Sequence, residues 1–432
     1  MTIYVNSLLS AAAADVTGKP TPTRTWQWLR NGTAISGANS STYTVVEADL
    51  AANLSVSQIE TNLGGIDTAT STALGPVSTF GVNSLFANDE EGAWYDPSDL
   101  STLFQDIAGT TPVTAAGQPV GLLLDKSQGL VIGPELIADT GFDDPSFWND
   151  TAPSVVVSGG EATFTSSPSA ARVSSTLLPS LTLGTFYQAT LEISSISEGS
   201  LRIASAFGTN GPDFATAGVF TFYLIGDGSA WRPRSVGTTT AVLTRFSVKE
   251  LPGNHATQAT SAARPTYQTS AGLHWLAFDG VDDAMVSPVD RFGVFDYAMS
   301  FDPDGGDFIL FHARPSTFGG WVGIGQSTVG SSKTDLDGVE GTQLSLYVDG
   351  VLSTATTRGG QHTLIQSGNV AVANYNTTGA LAEGWGATIG FYASGLNVPG
   401  PYYGSVVREG TMTTDQRNNL TTYLGSKSGV TL

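Results

Sequence analysis

Cysteine is absent from all 432 residues. That single absence removes disulfides, zinc–thiolate centres and cysteine nucleophiles together. A β-rich chain without cysteine fits assembly in a reducing bacterial cytoplasm better than passage through an oxidising compartment. Positive charge is scarce as well: 18 Lys and Arg stand against 38 Asp and Glu, for a net charge of −20. A surface of that sign repels phosphate backbones, and no run of Lys or Arg in the sequence overrides it, so nucleic acid is not an expected partner. Long apolar runs are missing too. None approaches the ~18 residues of a membrane-spanning helix, so a soluble chain without membrane insertion is expected. The first fifteen residues end in small side chains as a signal peptide does. They have no basic start, however, and Asn6 and Ser7 interrupt the apolar stretch, which favours an N-terminal strand or arm.

What is abundant points to strands. Gly 51 and Pro 20, with many Ser and Thr, favour short strands joined by turns. Only 13% of residues are charged while 40% are hydrophobic, a balance that folds rather than staying disordered. The length predicts two to four domains.

Three segments have distinct patterns. In residues 1–80, Thr25-Trp-Gln-Trp-Leu-Arg-Asn-Gly-Thr33 alternates bulky and polar residues and then reaches Asn31-Gly32, a strong hairpin signal. Ser41–Val46 and Leu54–Ile59 alternate in the same way. Trp28, Gly32, Ile35, Gly37, Tyr43 and Asp49 match a pattern by which this segment resembles bacterial and phage Ig-like repeats. The resemblance implies a sandwich with Trp28 as a core plug against Ile35 and Val56.

The second segment is a sentence cut in two. Gly121-Leu-Leu-Leu-Asp-Lys-Ser-Gln-Gly129 breaks off, and Gly253-Asn-His-Ala-Thr-Gln258 resumes it. Joined, they resemble the "L-D-K-S-G-x-G-N-H-A-T-Q" entry of laminin-G/concanavalin A-like jelly rolls in phage and bacterial surface proteins. Gly92-Ala-Trp-Tyr-Asp-Pro-Ser-Asp99 resembles a segment found ahead of such jelly rolls in virion proteins. Gln343-Leu-Ser-Leu-Tyr-Val-Asp-Gly-Val-Leu352 matches their strand–Asp-Gly–strand element. A terminal helix is expected after Met412, with Thr414 or Asp415 as N-cap and Gly425 as C-cap. The jelly roll is therefore assigned to 81–129 plus 252–432.

Residues 130–251 read as a nested domain. Gly133–Trp148 resembles the opening of carbohydrate-binding-like, galactose-binding-type jelly rolls, and Arg245-Phe-Ser-Val-Lys-Glu-Leu251 their closing strand. Asp139-Thr-Gly141 stands where that family often has Asn-Gly. An exposed loop accepts such an insertion when the inserted termini lie close together. The expected class is all-β: an N-terminal Ig-like sandwich, a concanavalin A/laminin-G-like jelly roll interrupted by a second β-sandwich, and a short C-terminal helix.

Catalytic patterns are missing. Glucanases on the concanavalin fold carry E-x-D-x-E on one strand, which sets two carboxylates about 5–5.5 Å apart. The nearest string, Asp335-Leu-Asp-Gly-Val-Glu340, has the wrong spacing and reads as a loop. The four His, at 255, 274, 312 and 362, form no H-E-x-x-H, and no G-x-S-x-G occurs. His255 belongs to the split string and reads as a structural donor. Binding signals are softer. Asp279 and Asp282, beside Asp283, are candidate calcium ligands at a turn. Trp231, Trp321, Trp385, Tyr402 and Tyr403 lie in loop-like, glycine- or proline-flanked settings and are the candidate glycan platforms, although each alone reads first as packing.

These resemblances imply a non-enzymatic bacteriophage virion protein, of the tail-fibre, receptor-binding or head-decoration kind, displayed on the particle surface. It would partner other virion proteins, bind host-surface polysaccharide or glycan, and act as a homo-oligomer, with no cofactor beyond calcium. A carbohydrate-active enzyme and a bacterial surface adhesin are the alternatives.

Overall fold

The computed structural model describes residues 3–5, 7–14, 20–288, 294–301, 308–309, 311–314, 325–326, 342–354, 370–376, 386–389 and 399–430. Its described elements are strands, short 3-10 turns and one C-terminal α-helix, so the all-β expectation holds.

The N-terminal sheet runs Thr33–Ala34, Thr23–Arg30, Leu54–Asn62, Gly65–Thr70, and a two-stranded pair, Leu8–Ser10 with Thr42–Thr44, accompanies it. Asn31 and Gly32 both take positive φ, as a two-residue hairpin turn requires. Trp28 is buried with Val56, and Ile35 packs at the edge of the same cluster. Asp49 is fully buried. It accepts from the Tyr43 hydroxyl at 2.7 Å and from Arg30 Nε at 2.6 Å, which explains why Tyr and Asp recur together in this pattern.

Two larger antiparallel sheets face each other farther along the chain. One orders Thr266–Ser270, Leu273–Asp279, Pro399–Glu409, Val294–Phe301, Val370–Asn376, Thr342–Val348 and Val351–Leu352, with Gly92–Tyr95 also paired to Pro399–Glu409. The other orders Phe311–Arg314, Gly386–Ile389, Met285–Ser287, Ala256–Thr257, Leu122–Leu123 and Leu103–Phe104. Alternation along Val294–Phe301 sends Phe295, Tyr297 and Met299 into the core between the sheets. Ala298, with Val370, Val372 and Val406, is buried on the other side against Leu420 and Leu424 of the helix Thr414–Lys427.

That helix starts one residue earlier and ends later than its sequence signals suggest. Thr413 is the N-cap because Gln416 reciprocates in a capping box. Gly425 lies inside the last turn. Gly429, at positive φ, closes the helix: Val430 N–H bonds to the Gly425 carbonyl and Gly429 N–H to that of Ser426.

Between the two halves of the split string lies a sheet of its own, Val155–Ser158, Glu161–Ser167, Trp231–Glu250, Phe186–Ser205 and Gly218–Ile225. Its core, which includes Phe142, Trp148, Phe164, Phe222 and Phe246, is drawn from residues 137–248 alone. Asp139 accepts from the Trp148 indole at 3.0 Å and from two backbone N–H groups, so it pins the opening loop without an Asn-Gly pair. Entry and exit lie side by side: Gly133 N–H bonds to the Glu250 carbonyl, and Leu136 N–H to that of Val248.

The insert is not loosely tethered. Leu122 and Leu124 pack with Phe186 and Leu251, and Tyr223 joins them edge-on to Phe104 at 5.7 Å. Tyr223 N–H also bonds to the Ala108 carbonyl at 2.7 Å. Truncating a fully buried aromatic costs roughly 3–5 kcal/mol, and Tyr223, which is half-buried, should lose part of that. Tyr223→Ala should therefore uncouple the two bodies, and calorimetry should resolve two unfolding transitions where the unaltered chain gives one cooperative event.

Candidate functional site

The split string closes into one clasp. Asp125 is fully buried, and its carboxylate accepts from Trp94 N–H at 2.7 Å, Asn254 N–H at 2.7 Å, Ser127 N–H at 2.8 Å and Ser127 Oγ at 2.8 Å. Three segments distant in sequence thus converge on one side chain. The Asn254 amide donates to the Gly92 carbonyl at 2.7 Å, and the Tyr95 hydroxyl sits between the Asn254 carbonyl and Ser287. Gly253 is required there: it holds positive φ, and a Cβ would lie 3.1 Å from an Asp125 oxygen.

His255 completes the clasp. Asp125 N–H donates to its Nδ1 at 2.9 Å, so Nδ1 is the bare nitrogen and the proton resides on Nε2, which faces the Leu251 carbonyl at 3.3 Å. Burial lowers the imidazole pKa to about 4, and the Leu251 carbonyl only partly opposes that fall. The ring is a satisfied structural group, as its place in the split string suggested. Lys126 extends the clasp outward through Asp99 at 2.7 Å and Asp96 at 3.5 Å. Asp96 also receives Lys427 at 3.1 Å and the Tyr423 hydroxyl at 2.9 Å from the terminal helix.

A cleft of about 490 Å³ opens beside this clasp, between the jelly-roll half and the insert. Glu91, Gln128 and Asn254 line it from one body and Thr185 and Glu250 from the other, with Leu183 at its rim. Sequence reading did not single out these side chains, since they come from four separate segments. The signal was the junction itself, because Gln128 and Pro252 flank the break in the string. The cleft offers amide, hydroxyl and carboxylate partners for ligand hydroxyls.

The acidic turn forms as expected. Ligand oxygens of Asp279, Asp282 and Asp283 lie within 4.8 Å of one another. Asp279 Oδ1 already accepts from Val281 N–H at 2.7 Å, and Asp283 Oδ2 from Asp279 N–H at 2.9 Å. The turn is thus held by its own backbone donors. Three carboxylates supply part of the six to eight oxygens that calcium takes, with backbone and water left to complete the set. If calcium binds there, it should raise the melting temperature of the full chain, and Asp279→Asn with Asp282→Asn should erase that rise.

The aromatic candidates fare differently. Trp231 is 3% exposed in the insert core, Tyr402 is 3% exposed in the jelly-roll core, and Tyr403 is 7% exposed. Their faces are closed to a sugar, which corrects the expectation drawn from their flanking glycines and prolines. Strand alternation explains it: Trp231, Pro233 and Ser235 point inward together, and Tyr402 meets Phe278 of the adjacent strand edge-on within the core. Trp321 and Trp385 lie outside the described residues, as does Asp335–Glu340.

No known protein family's profile matches the chain, and no curated protein matches it in sequence. Among solved structures, a calcium-binding mutant of Bacteroides uniformis beta-glucuronidase 2 is similar at 12% identity and a TM-score of 0.14, over 54% of this chain. The chain spans 28% of that protein's length. A likeness that slight carries no argument about fold or activity.

The buried imidazole gives the clasp a pH signature. The unfolded chain takes a proton on His255 near the ordinary value of about 6.5, whereas the native state resists until about pH 4. Stability is therefore full above pH 6.5 and declines as pH falls toward 4, by on the order of 3 kcal/mol. Denaturant midpoints across that window should fall, and His255→Gln should flatten the slope. An unchanged slope would place the titration elsewhere.

Proposed function

We propose that this chain is a non-enzymatic adhesion protein displayed on a bacteriophage particle, and that the cleft between its jelly roll and its insert holds a host-surface glycan. The observation that carries the reading is the placement of that cleft. Its walls belong to two β-bodies joined by the apolar seam at Tyr223, beside the Asp125 clasp that ties together the two jelly-roll strings flanking the insert. Pockets at such junctions are common binding sites, and this one has the hydrogen-bonding groups that saccharide hydroxyls need. The virion assignment is supported by the resemblance of the split string and of Gly92–Asp99 to phage jelly rolls. Single saccharide sites are weak, so adhesion would rest on several copies held in fixed geometry by other virion proteins.

A second reading has one observation in its favour. Glu91 and Glu250 line the same cleft from opposite bodies, as a pair of hydrolytic carboxylates would. Both are exposed, so neither has the buried setting that keeps a carboxyl protonated as a general acid.

One experiment separates the two. The full chain is screened against host capsular and cell-wall polysaccharides for binding and for release of reducing ends. Adhesion requires binding without turnover, retained in Glu91→Gln and Glu250→Gln and lost when Thr185→Trp fills the cleft. Reducing ends that accumulate with the native chain and vanish in either Gln variant would establish a hydrolase instead. Binding indifferent to Thr185→Trp would remove the cleft from the proposal.

A further inference from the structure

The insert gathers four of the chain's few cations on one face. Arg202 lies directly opposite Arg234 in the pairing of the two long strands, and Arg172 bridges Arg234 from the other side. Directly opposed residues share a sheet face, so Arg172, Arg234 and Arg202 form a row across two strands and the segment bridged to them, about 4.8 Å from one to the next. Arg232 lies two residues from Arg234 and therefore on the same face. Burial agrees. Trp231, Pro233 and Ser235 are buried, as are Leu201, Ile203, Ala171 and Val173, while the four arginines between them are partly exposed.

The row is only half neutralised. Arg172 Nη2 donates to Asp150 at 3.0 Å, and Arg202 Nη2 to Asp213 at 2.7 Å. Arg232 and Arg234 have no ion pair among the described residues. Four guanidiniums against two carboxylates leave two charges uncompensated in a chain whose net charge is −20. Two further donors lack acceptors. Arg172 Nε and the Ser174 hydroxyl, two residues along the same segment, are buried without a hydrogen-bond partner. Unpaired buried donors are uncommon and costly, so each calls for an explanation. Burial, with Arg172 and Arg234 close by, also holds the Arg232 guanidinium below its usual range, and Asp150 only partly offsets them. Crowding like charges without partners destabilises a fold, and residues kept at such a cost commonly serve a ligand.

The geometry points to an anionic-ligand site on this face of the insert, built by Arg172, Arg202, Arg232 and Arg234, that takes the carboxylate or sulfate groups of an acidic polysaccharide. Guanidinium forks bind planar oxyanions bidentately, which suits both groups. The row is open and linear rather than closed around a point, as a chain with repeating charge requires. Duplex nucleic acid presents one charge per about 1.7 Å, far denser than two net cations can answer. An acidic glycan carries its charges one sugar or more apart, which matches a row of this length. This site is separate from the cleft, and it stands or falls without it.

The test is affinity electrophoresis of the full chain through gels containing polygalacturonate, chondroitin sulfate or neutral dextran. Retardation is expected in the first two and not in dextran, and it should weaken as salt is raised. Arg232→Ala with Arg234→Ala should weaken it at least about tenfold, the loss expected for charge-assisted hydrogen bonds. The melting temperature of that variant should hold or rise, since it relieves like-charge crowding. Arg245→Ala with Lys249→Ala, an equal change of charge elsewhere on the insert, should leave retardation intact, and so should Thr185→Trp in the cleft. Equal weakening by the two double variants would reduce the effect to net charge and overturn the site. Tighter retention by duplex DNA would overturn the choice of ligand, and protection by free sulfate without any polysaccharide binding would leave an ion site only. Capture of an acidic protein in preference to either polysaccharide would assign the face to a protein partner instead.

Discussion

One buried carboxylate holds the larger part of this molecule in register. Burying an ionised carboxylate is costly unless it is fully hydrogen-bonded, and Asp125 meets that condition with four donors from three segments. Asn254, one of those donors, is 129 residues away in the chain. The carboxylate can be satisfied only when the strand before the break, the string after it and Gly92–Tyr95 are all in place. Burial pushes its own pKa upward while those donors pull the other way. The insert's first and last residues are thus positioned by a group that belongs to neither of them. Lys126 and Asp96 carry the same constraint on to the terminal helix through Lys427 and Tyr423.

The sequence was most legible where a local rule acts alone. Asn31-Gly32 and Asp349-Gly350 both form the tight turns their residue types demand, with positive φ at each position. The break after Asp-Lys-Ser marked the insert because a string with strong internal order had been interrupted. The helix ends were less legible. Thr413 and Thr414 are equally good caps in composition, and only the reach of Gln416 back to Thr413 separates them. Trp231 and Tyr402 fail as glycan platforms for a related reason. Glycine and proline neighbours announce a loop, but strand parity decides which way a side chain points, and parity depends on register. At the cleft nothing local could serve, since Gln128, Thr185 and Glu250 become neighbours only through the clasp and the seam.

The arginine row shows the same principle from the opposite side. No two of Arg172, Arg202 and Arg234 are close in sequence, so a search for basic runs finds nothing. Sheet register assembles what composition disperses. Phe186–Ser205 and Trp231–Glu250 pair along nearly their whole length, but the register shifts between Glu192 and Ser200. Bulges of this kind bend a strand and re-aim the side chains beyond them. Past the shift, Arg202 meets Arg234 and Ala204 meets Arg232. Because side chains alternate with period two, a slip of a single residue there would bury the guanidiniums and expose Leu201 and Trp231. The irregular stretch between the two well-paired halves therefore sets the chemistry of the outer face, even though none of its residues belongs to the row.

Nesting has a mechanical consequence for any ligand in the cleft. A domain joined by one linker can rotate, and a site shared with its neighbour then pays for ordering each time it binds. Two chain crossings, at Gln128 and Pro252, remove most of that freedom, and the contacts of Tyr223 with Phe104 and Ala108 remove more. The cleft walls are preorganised before a ligand arrives. The insert's outer arginine face depends on none of these contacts, since its rows are set by pairing within the insert itself. Changes in that face can alter what the insert attracts without disturbing the clasp. Changes in the clasp would move the insert as a body and widen or close the cleft. In the proposed reading, selectivity and mounting thus reside in different parts of the same nested unit.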